Sequence, residues 1–200
     1  IAFGVTYSLG RDASAAGGPS ATNCPGELAN DSKACRNWSA MVSYTAKEWG
    51  VIAAYDTYNG GTGAAAAFGP TSSARSDTRA HIGGFARFGA VKIAGGIVRR
   101  DNEGSAAPRS DLPYLGVSYT VTPTVVIHAQ AARLDVKNSK RSADLFVVRA
   151  DYILSKRTDL YLMAGHIGND GTSAISISAG GTAPAGGSQN GVLTGIKHAF

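Results

Sequence analysis

Apolar and polar residues alternate along most of the chain, as in the opening stretch "IAFGVTYSL". A period of two residues is typical of β-strands that present one apolar face. The strands predicted in this way are 1–9, 38–47, 49–59, 78–88, 91–100, 112–121, 124–134, 143–154, 159–167 and 190–200. They exceed the about five or six residues usual in globular sheets and match the ~9–11 residues of strands that cross a membrane. No segment shows a helical period.

The connections between these strands alternate in length. Short turns are predicted at Lys47–Gly50, Gly89–Ala90, Thr122–Thr124 and Ser155–Thr158, and long polar loops at 10–36, 60–77, 101–111, 135–142 and 168–189. In an up-and-down meander, this alternation places all turns at one end of the sheet and all loops at the other. Membrane barrels have this arrangement, with short periplasmic turns and long external loops. The predicted fold is therefore all-β, an up-and-down antiparallel transmembrane β-barrel.

Aromatic residues recur on the apolar face at the turn ends of these strands. Aromatic rings favour the boundary between membrane and water, where they are half in hydrocarbon. Any single ring would also fit the core of a soluble sheet, but their shared level predicts an aromatic girdle. The predicted girdle consists of Tyr44, Trp49, Phe88, Tyr119, Tyr152 and Phe200.

Charged residues occupy the opposite face of the same strands. If the apolar face meets lipid, this face lines a water-filled lumen, whereas any single charge would also fit a solvated surface. The predicted pore-lining residues are Asp56, Arg79, His81, Arg87, Lys92, Arg100, Arg149, Asp151 and Lys197. Six of these carry a fixed positive charge and two a negative one, so the wall is predicted to attract anions.

The net charge of +5 and the pI of about 9.3 raise the possibility of a nucleic-acid partner. The basic residues, however, are scattered singly along the chain, whereas a binding arm would cluster them. No nucleic-acid partner is predicted. The chain also lacks an uninterrupted apolar run of the ~18 residues that a membrane helix needs.

The two cysteines, Cys24 and Cys35, lie within "NCPGELANDSKAC". The surrounding Gly, Pro, Asn and Asp residues indicate a loop. A cysteine pair within one loop favours a disulfide formed in an oxidising compartment. A zinc site would need more ligands, and this loop has no histidine. The sequence therefore predicts a Cys24–Cys35 disulfide, and neither a metal nor a cofactor.

Two stretches resemble the Gram-negative trimeric porins, particularly those of beta-proteobacteria. The closing "TGIKHAF" is similar to the terminal assembly signal of that family, and "DYILSKRTDLYLMAGHIGNDG" is similar to its penultimate hairpin. The residues of the signal, which alternate up to a final phenylalanine, are Val192, Thr194, Ile196, His198 and Phe200.

The resemblance implies a barrel of about 16 strands, with residues 1–200 as a single porin domain that lacks six N-terminal strands and the constriction loop. A complete ten-stranded barrel is the alternative. The resemblance also implies a homotrimer in the bacterial outer membrane, inserted by the barrel-assembly machinery and surrounded by lipid and lipopolysaccharide. The implied function is a water-filled channel for passive diffusion of small hydrophilic solutes and ions, and the wall charges favour small anions.

Two other classes of protein are disfavoured. An outer-membrane barrel enzyme would need an organised nucleophile and base, but none of the four histidines lies in a hydrolase motif. The "GVSYT" around Ser118 lacks the second glycine of a nucleophile elbow, so no enzyme is predicted. A soluble all-β binding module would explain the strands and polar loops, but not the sorting of turns and loops by end.

We expect peptide mass mapping of unreduced protein to yield a peptide that links Cys24 to Cys35. Because the link closes only a local external loop, replacing both cysteines with serine should leave the barrel assembled. Two free thiols in protein taken from the outer membrane would show that the predicted pairing is wrong.

Overall fold

The computed structural model describes residues 1–9, 30–61 and 70–199. Its strands are β1 (Ala2–Ser8), β2 (Asn37–Thr45), β3 (Trp49–Asn59), β4 (Ser76–Phe88), β5 (Val91–Asn102), β6 (Arg109–Thr122), β7 (Val125–Val136), β8 (Arg141–Ser155), β9 (Thr158–Gly171) and β10 (Ser188–His198). They form one ten-stranded sheet in which each strand pairs with its neighbours in chain order, antiparallel throughout. The predicted all-β, up-and-down architecture is confirmed. No helix in the described ranges is long and apolar enough to cross a membrane.

The strands extend further at the loop end than the apolar pattern predicts. The connection between β7 and β8 covers only residues 137–140. The prediction of a long loop at 135–142 is therefore wrong. Near it, Arg133 faces Asp144 across the two strands, and their side chains form an ion pair of 2.7 Å. A cross-strand pair of opposite charges stabilises a sheet, so the strands can extend beyond their apolar pattern. The turn includes Asn138 with a φ of 55°, which asparagine tolerates.

The register sorts the side chains into two faces, since residues directly opposite each other on paired strands point to the same side. The apolar face carries side chains such as Ile82, Leu115 and Leu162, which are 63%, 61% and 55% exposed. The polar face carries residues such as Lys92 and Arg149. From Ala143 to Leu154 on β8, residues of the apolar face are exposed and those of the polar face are buried or half-buried. This difference indicates that the polar face is concave.

The described part of the chain has no central hydrophobic core. Its buried apolar side chains are Ala34, Cys35, Pro70, Val136, Ala143 and Ile167. Soluble monomers rarely expose contiguous apolar patches of more than a few hundred Å², whereas here the apolar face of an entire sheet is uncovered. This face is therefore suited to a hydrocarbon surrounding, in which the sheet satisfies its own backbone hydrogen bonds.

The sheet is open at both edges. Among the described strands, β1 pairs only with β2 and β10 pairs only with β9. An unpaired strand edge is not tolerated in lipid, because its N–H and C=O groups would have no partners there. A membrane location therefore requires the sheet to close, either by pairing of β1 with β10 or through additional strands.

Three aromatic rings on the polar face lie across a glycine of the neighbouring strand. A Cβ atom added to Gly96 would lie 2.7 Å from Tyr114 Oη, and one added to Gly195 would lie 2.6 Å from Tyr161 Oη. Phe85 covers Gly50 in the same manner. Rings that cover strand glycines stabilise sheets where the glycine has no side chain to pack. These glycines let the rings lie flat along the wall.

We expect Gly96→Ala to destabilise the folded sheet, because the new Cβ would lie 2.5 Å from the Ile82 carbonyl oxygen as well as against Tyr114. Overpacking of this kind costs about 1–3 kcal/mol. The measurement is thermal unfolding of the protein in detergent. Gly168→Ala is the matched control, since its Cβ would have its nearest contact at 3.7 Å. Equal melting temperatures for the two variants would contradict the proposed role of the contact.

Candidate functional site on the polar face

The register places all nine predicted pore-lining residues on the polar face, where they form two groups. The group near the loop end contains Asp56, Arg79, His81 and Arg100. The group near the turn end contains Arg87, Lys92, Arg149, Asp151 and Lys197. Their shared face is observed, and their role as a pore lining stays a prediction.

At the loop end, a single carboxylate holds two arginines together. Arg79 and Arg100 lie directly opposite each other on β4 and β5, and like charges in such positions repel. Asp77, which is 5% exposed, accepts two hydrogen bonds from Arg100, at 2.7 and 2.8 Å, and one from Arg79 at 3.0 Å. Asp56 pairs with Arg79 at 3.2 Å. We call these four residues the loop-end cluster; it contains two positive and two negative charges.

The sequence prediction missed Asp77, because the apolar pattern begins β4 at residue 78 whereas the strand begins at Ser76. It also missed Tyr114. The hydroxyl of Tyr114 lies 2.7 Å from His81 Nε2, and the two rings stack with their centroids 5.9 Å apart. The period of two does not indicate which tyrosine contacts His81. His81 and Tyr114 are distant in the chain, and they come together because β4 and β6 both pair with β5.

At the turn end, five polar side chains form a continuous row across neighbouring strands. Each is the direct cross-strand partner of the next, so the row crosses β4 to β8. With strands ~4.8 Å apart, it spans roughly 19 Å. We call it the turn-end row; its members are Arg87, Lys92, Ser118, His128 and Arg149.

The positive charges of the turn-end row are unequally neutralised. Arg149 pairs with Asp151 at 2.7 Å and with Asp159 at 3.7 Å, and its guanidinium lies 4.6 Å from the centroid of the Tyr161 ring. In contrast, no carboxylate of the described residues lies within 4.0 Å of Arg87 or Lys92. These two face each other directly, an arrangement that costs stability. The unbalanced positive charge of the row is therefore concentrated on β4 and β5.

The row also contains a hydrogen-bonded chain that the sequence prediction missed. Ser118 Oγ lies 2.7 Å from His128 Nδ1, and His128 Nε2 lies 2.9 Å from Asp151 Oδ2. His128 has the same parity along β7 as Gln130, so the period of two could have placed both on the polar face. What the sequence does not contain is the register that sets Ser118 and Asp151 on either side of the histidine.

The loop between β9 and β10 folds back over the polar face. Asn169, which is 5% exposed, bonds through its side chain to the backbone of Ile175 and Gly187. Gln189 accepts a hydrogen bond from the Ile177 backbone N–H at 3.0 Å. The Ile177 side chain lies against Gly165 and also approaches Gly191. Residues 172–187 carry no charged side chain, so this loop covers part of the face without altering its charge.

Aromatic residues mark both ends of the apolar face. The predicted girdle residues within the described ranges, Tyr44, Trp49, Phe88, Tyr119 and Tyr152, are exposed on this face at the turn end. A second group that the sequence prediction missed lies at the loop end of the first three strands and consists of Tyr7, Trp38 and Tyr55. Membrane barrels carry such girdles at both interfaces. Phe200 lies outside the described residues, and the role of the girdle stays a prediction.

The charged side chains of the apolar face lie near its loop end, and they are paired. Arg99 holds Asp111 through two hydrogen bonds of 2.7 and 3.2 Å. In the turn beyond β7, Lys137 donates a hydrogen bond to Asp135, and this bond raises the pKa of Lys137. These pairs set an upper limit to the region of the apolar face that could contact hydrocarbon.

The remaining predictions concern the chain end and the cysteines. Val192, Thr194, Ile196 and His198 share the apolar face of β10, while their role in assembly stays a prediction. Cys35 is disulfide-bonded and buried, but Cys24 lies outside the described residues, so the pairing stays a prediction. Across the described ranges, no group of three or more His, Cys, Asp or Glu side chains could hold a metal ion.

Comparisons with known proteins agree with this geometry. A family model described as Gram-negative porin matches residues 1–172. The fold is similar to that of an anion-selective porin from Comamonas acidovorans, with a TM-score of 0.72, 20% identity and coverage of 99% of this chain. It is also similar to OmpT, an outer membrane protein of Vibrio cholerae, with a TM-score of 0.53, 12% identity and coverage of 98% of this chain and 74% of that one.

The chain spans only 55% of the length of the Comamonas porin. At these identities, the two structural likenesses show a shared fold. Curated protein sequences give no match.

We expect Asp77→Asn to destabilise the protein by about 1–2 kcal/mol, because it leaves Arg79 and Arg100 opposite each other without a carboxylate between them. This is less than the ~3–5 kcal/mol for a fully buried pair, since both arginine side chains are more than a third exposed. Thermal unfolding should show the loss, and added salt should reduce it by screening the repulsion. Asp170→Asn is the control, since Asp170 is 64% exposed and 3.9 Å from Arg133. A loss that salt does not change would contradict this explanation.

Proposed function

Because the chain belongs to the Gram-negative porin family, we propose that it forms part of the wall of a water-filled channel in the bacterial outer membrane. Small hydrophilic solutes and ions pass through such a channel by diffusion. The observation that carries the proposal is the division of one sheet into an exposed apolar face and a charged face, without a core between layers in the described ranges. A barrel wall between lipid and water has this division.

We further propose that the channel prefers anions. Arg87 and Lys92 supply positive charge with no carboxylate within 4.0 Å among the described residues, whereas the loop-end cluster is balanced. Fixed charge along a water-filled wall concentrates ions of the opposite sign. The structural likeness to the anion-selective porin of Comamonas acidovorans agrees with this proposal. The preference should be greatest in dilute salt, since the Debye length is ~10 Å at 0.1 M.

The whole protein is proposed to be a larger barrel. The unpaired edges of β1 and β10 support additional strands that close the sheet, and a barrel of about 16 strands would provide them. Residues 1–200 would then be one part of a single porin domain. The proposed partners are outer-membrane lipid and lipopolysaccharide, the barrel-assembly machinery, two further copies of the chain in a homotrimer, and small anionic solutes.

A catalytic function is not proposed, although Ser118, His128 and Asp151 form a hydrogen-bonded chain. Acyl transfer requires preorganised donors for the oxyanion, and one such donor contributes about 10²–10³ in rate. Ser118 lies in β6, which pairs with strands on both sides, so the backbone N–H groups around it are committed to the ladder. The other oxygen of Asp151 is occupied by Arg149, which makes this carboxylate a weaker partner for the histidine.

We expect Arg87→Gln to lower the permeability of anions relative to cations. An anion that passes ~8 Å from this charge in water gains about 0.5 kcal/mol and a cation loses about as much. Screening at about 0.1 M salt roughly halves both energies, so the permeability ratio should change about twofold. Reversal potentials in planar bilayers, measured under a gradient of dilute KCl, report the ratio. The matched control is Arg133→Gln, which removes the same charge from the opposite face.

The control should leave the reversal potential at the value of the unmodified protein. Equal shifts in both variants would contradict the assignment of the polar face to the lumen, because the net charge of the protein alone would then explain the change. A preference for cations in the unmodified protein at low salt would contradict the proposed selectivity.

A further inference from the structure

A cleft of about 400 Å³ opens on the polar face within the turn-end row. Its floor lies at Ala94 and Gly116, which face each other on β5 and β6 and have almost no side chain. The polar side chains that line it are Lys92, Ser118, His128, Gln130 and Arg149. The small floor residues therefore leave a space that is lined by polar side chains from four consecutive strands.

The hydrogen bonds around His128 define where its protons lie. The Asp151 carboxylate accepts from Nε2, so this nitrogen carries a proton, and Arg149 holds the same carboxylate. In the neutral ring, Nδ1 is then an acceptor, and the Ser118 hydroxyl donates to it. In this state, the only hydroxyl proton of Ser118 points into the wall and is not available to a ligand in the cleft.

Protonation of His128 would reverse this bond. Both ring nitrogens would then be donors, so Nδ1 would donate to Ser118 Oγ and the hydroxyl proton would become available to the cleft. The ring would also add a positive charge to the cleft, which Lys92 lines from β5. Both changes follow from the donor and acceptor chemistry of the imidazole ring.

The charged groups that face His128 determine the sign of the effect. Arg149 is its partner on β8, Asp151 lies two residues further along that strand, and Asp159 on β9 approaches Arg149. With a neutral ring, Asp151 and Asp159 offset Arg149, while neither of them lies within 4.0 Å of Lys92. A charged ring shifts this balance toward positive charge, so a negatively charged ligand should bind more tightly as the pH falls.

We propose that this cleft is a proton-dependent binding site for small oxyanions, such as sulfate, phosphate groups or carboxylates. Lys92 and Gln130 supply N–H donors, Ser118 supplies O–H when His128 is charged, and several acceptor oxygens on one ligand can use these donors together. A halide ion lacks that geometry. The proposal rests on the proposed function in one respect, that the polar face is reached by solutes in the lumen.

The test is calorimetric titration of sulfate into the full-length protein in non-ionic detergent. Sulfate stays a dianion over the range used, so any pH dependence belongs to the protein. We expect the dissociation constant to be about tenfold lower near pH 5 than near pH 8, which is the effect of one additional hydrogen bond to a charged group. The same constant at both pH values would overturn the proposal.

Single-residue variants test which side chains cause the pH dependence of sulfate binding. His128→Gln should abolish the pH dependence, and Ser118→Ala should weaken binding about threefold to tenfold near pH 5 while changing it little near pH 8. His166→Gln, on the apolar face, should behave as the unmodified protein. If His128→Gln fails to fold, Ser118→Ala decides the question, because a loss that is equal at both pH values would refute the reversal of the hydrogen bond.

The bilayer measurement separates this proposal from the anion preference of the channel. If sulfate binding depends on His128 but the channel shows no anion preference, the proposed site is supported and the proposed selectivity is refuted. If the channel prefers anions but sulfate binding is unchanged in the Ser118 and His128 variants, the proposed site is refuted and the proposed selectivity is supported.

Discussion

The backbone ladder is the constraint on which the rest of the structure depends. In hydrocarbon, an N–H or C=O group without a partner costs several kcal/mol, so a spanning sheet must pair every strand in register. The ten strands meet this requirement between neighbours by pairing in chain order, and among the described strands only the outer edges of β1 and β10 stay unpaired. Because the side chains alternate strictly, the same register that satisfies the backbone also assigns each residue to lipid or to water. A slip of one residue would move Lys92 and Arg149 to the apolar face.

The strict register also brings like charges together. Arg79 meets Arg100, and Arg87 meets Lys92, at equivalent positions of the same two strands. At the loop end, Asp77 resolves the repulsion with a nearly buried carboxylate, whereas the turn end has no such group among the described residues. The two ends of one strand pair therefore differ: the first is a balanced cross-link, and the second leaves two positive charges without a carboxylate partner among the described residues.

Small residues shape the polar face as much as charged ones do. Glycines opposite Tyr114 and Tyr161 allow these rings to lie along the wall, and Ala94 and Gly116 leave the floor of the cleft open. The uncharged loop between β9 and β10 is fixed by Asn169 and Gln189. The small residues and this loop together determine which parts of the polar face are open and which are covered.

The sequence alone determined the strand order, the two faces and the level of the turn-end aromatic residues, because a period of two is a local property of the chain. It placed all nine charged candidates on a common face for the same reason. Only the tertiary structure decided which of them neutralise one another. Asp77, Ser118 and His128 acquire their partners through cross-strand register, and the fold of the β9–β10 loop onto the polar face depends on contacts with distant strands. Such pairings relate residues that are far apart in the chain, so no local pattern records them.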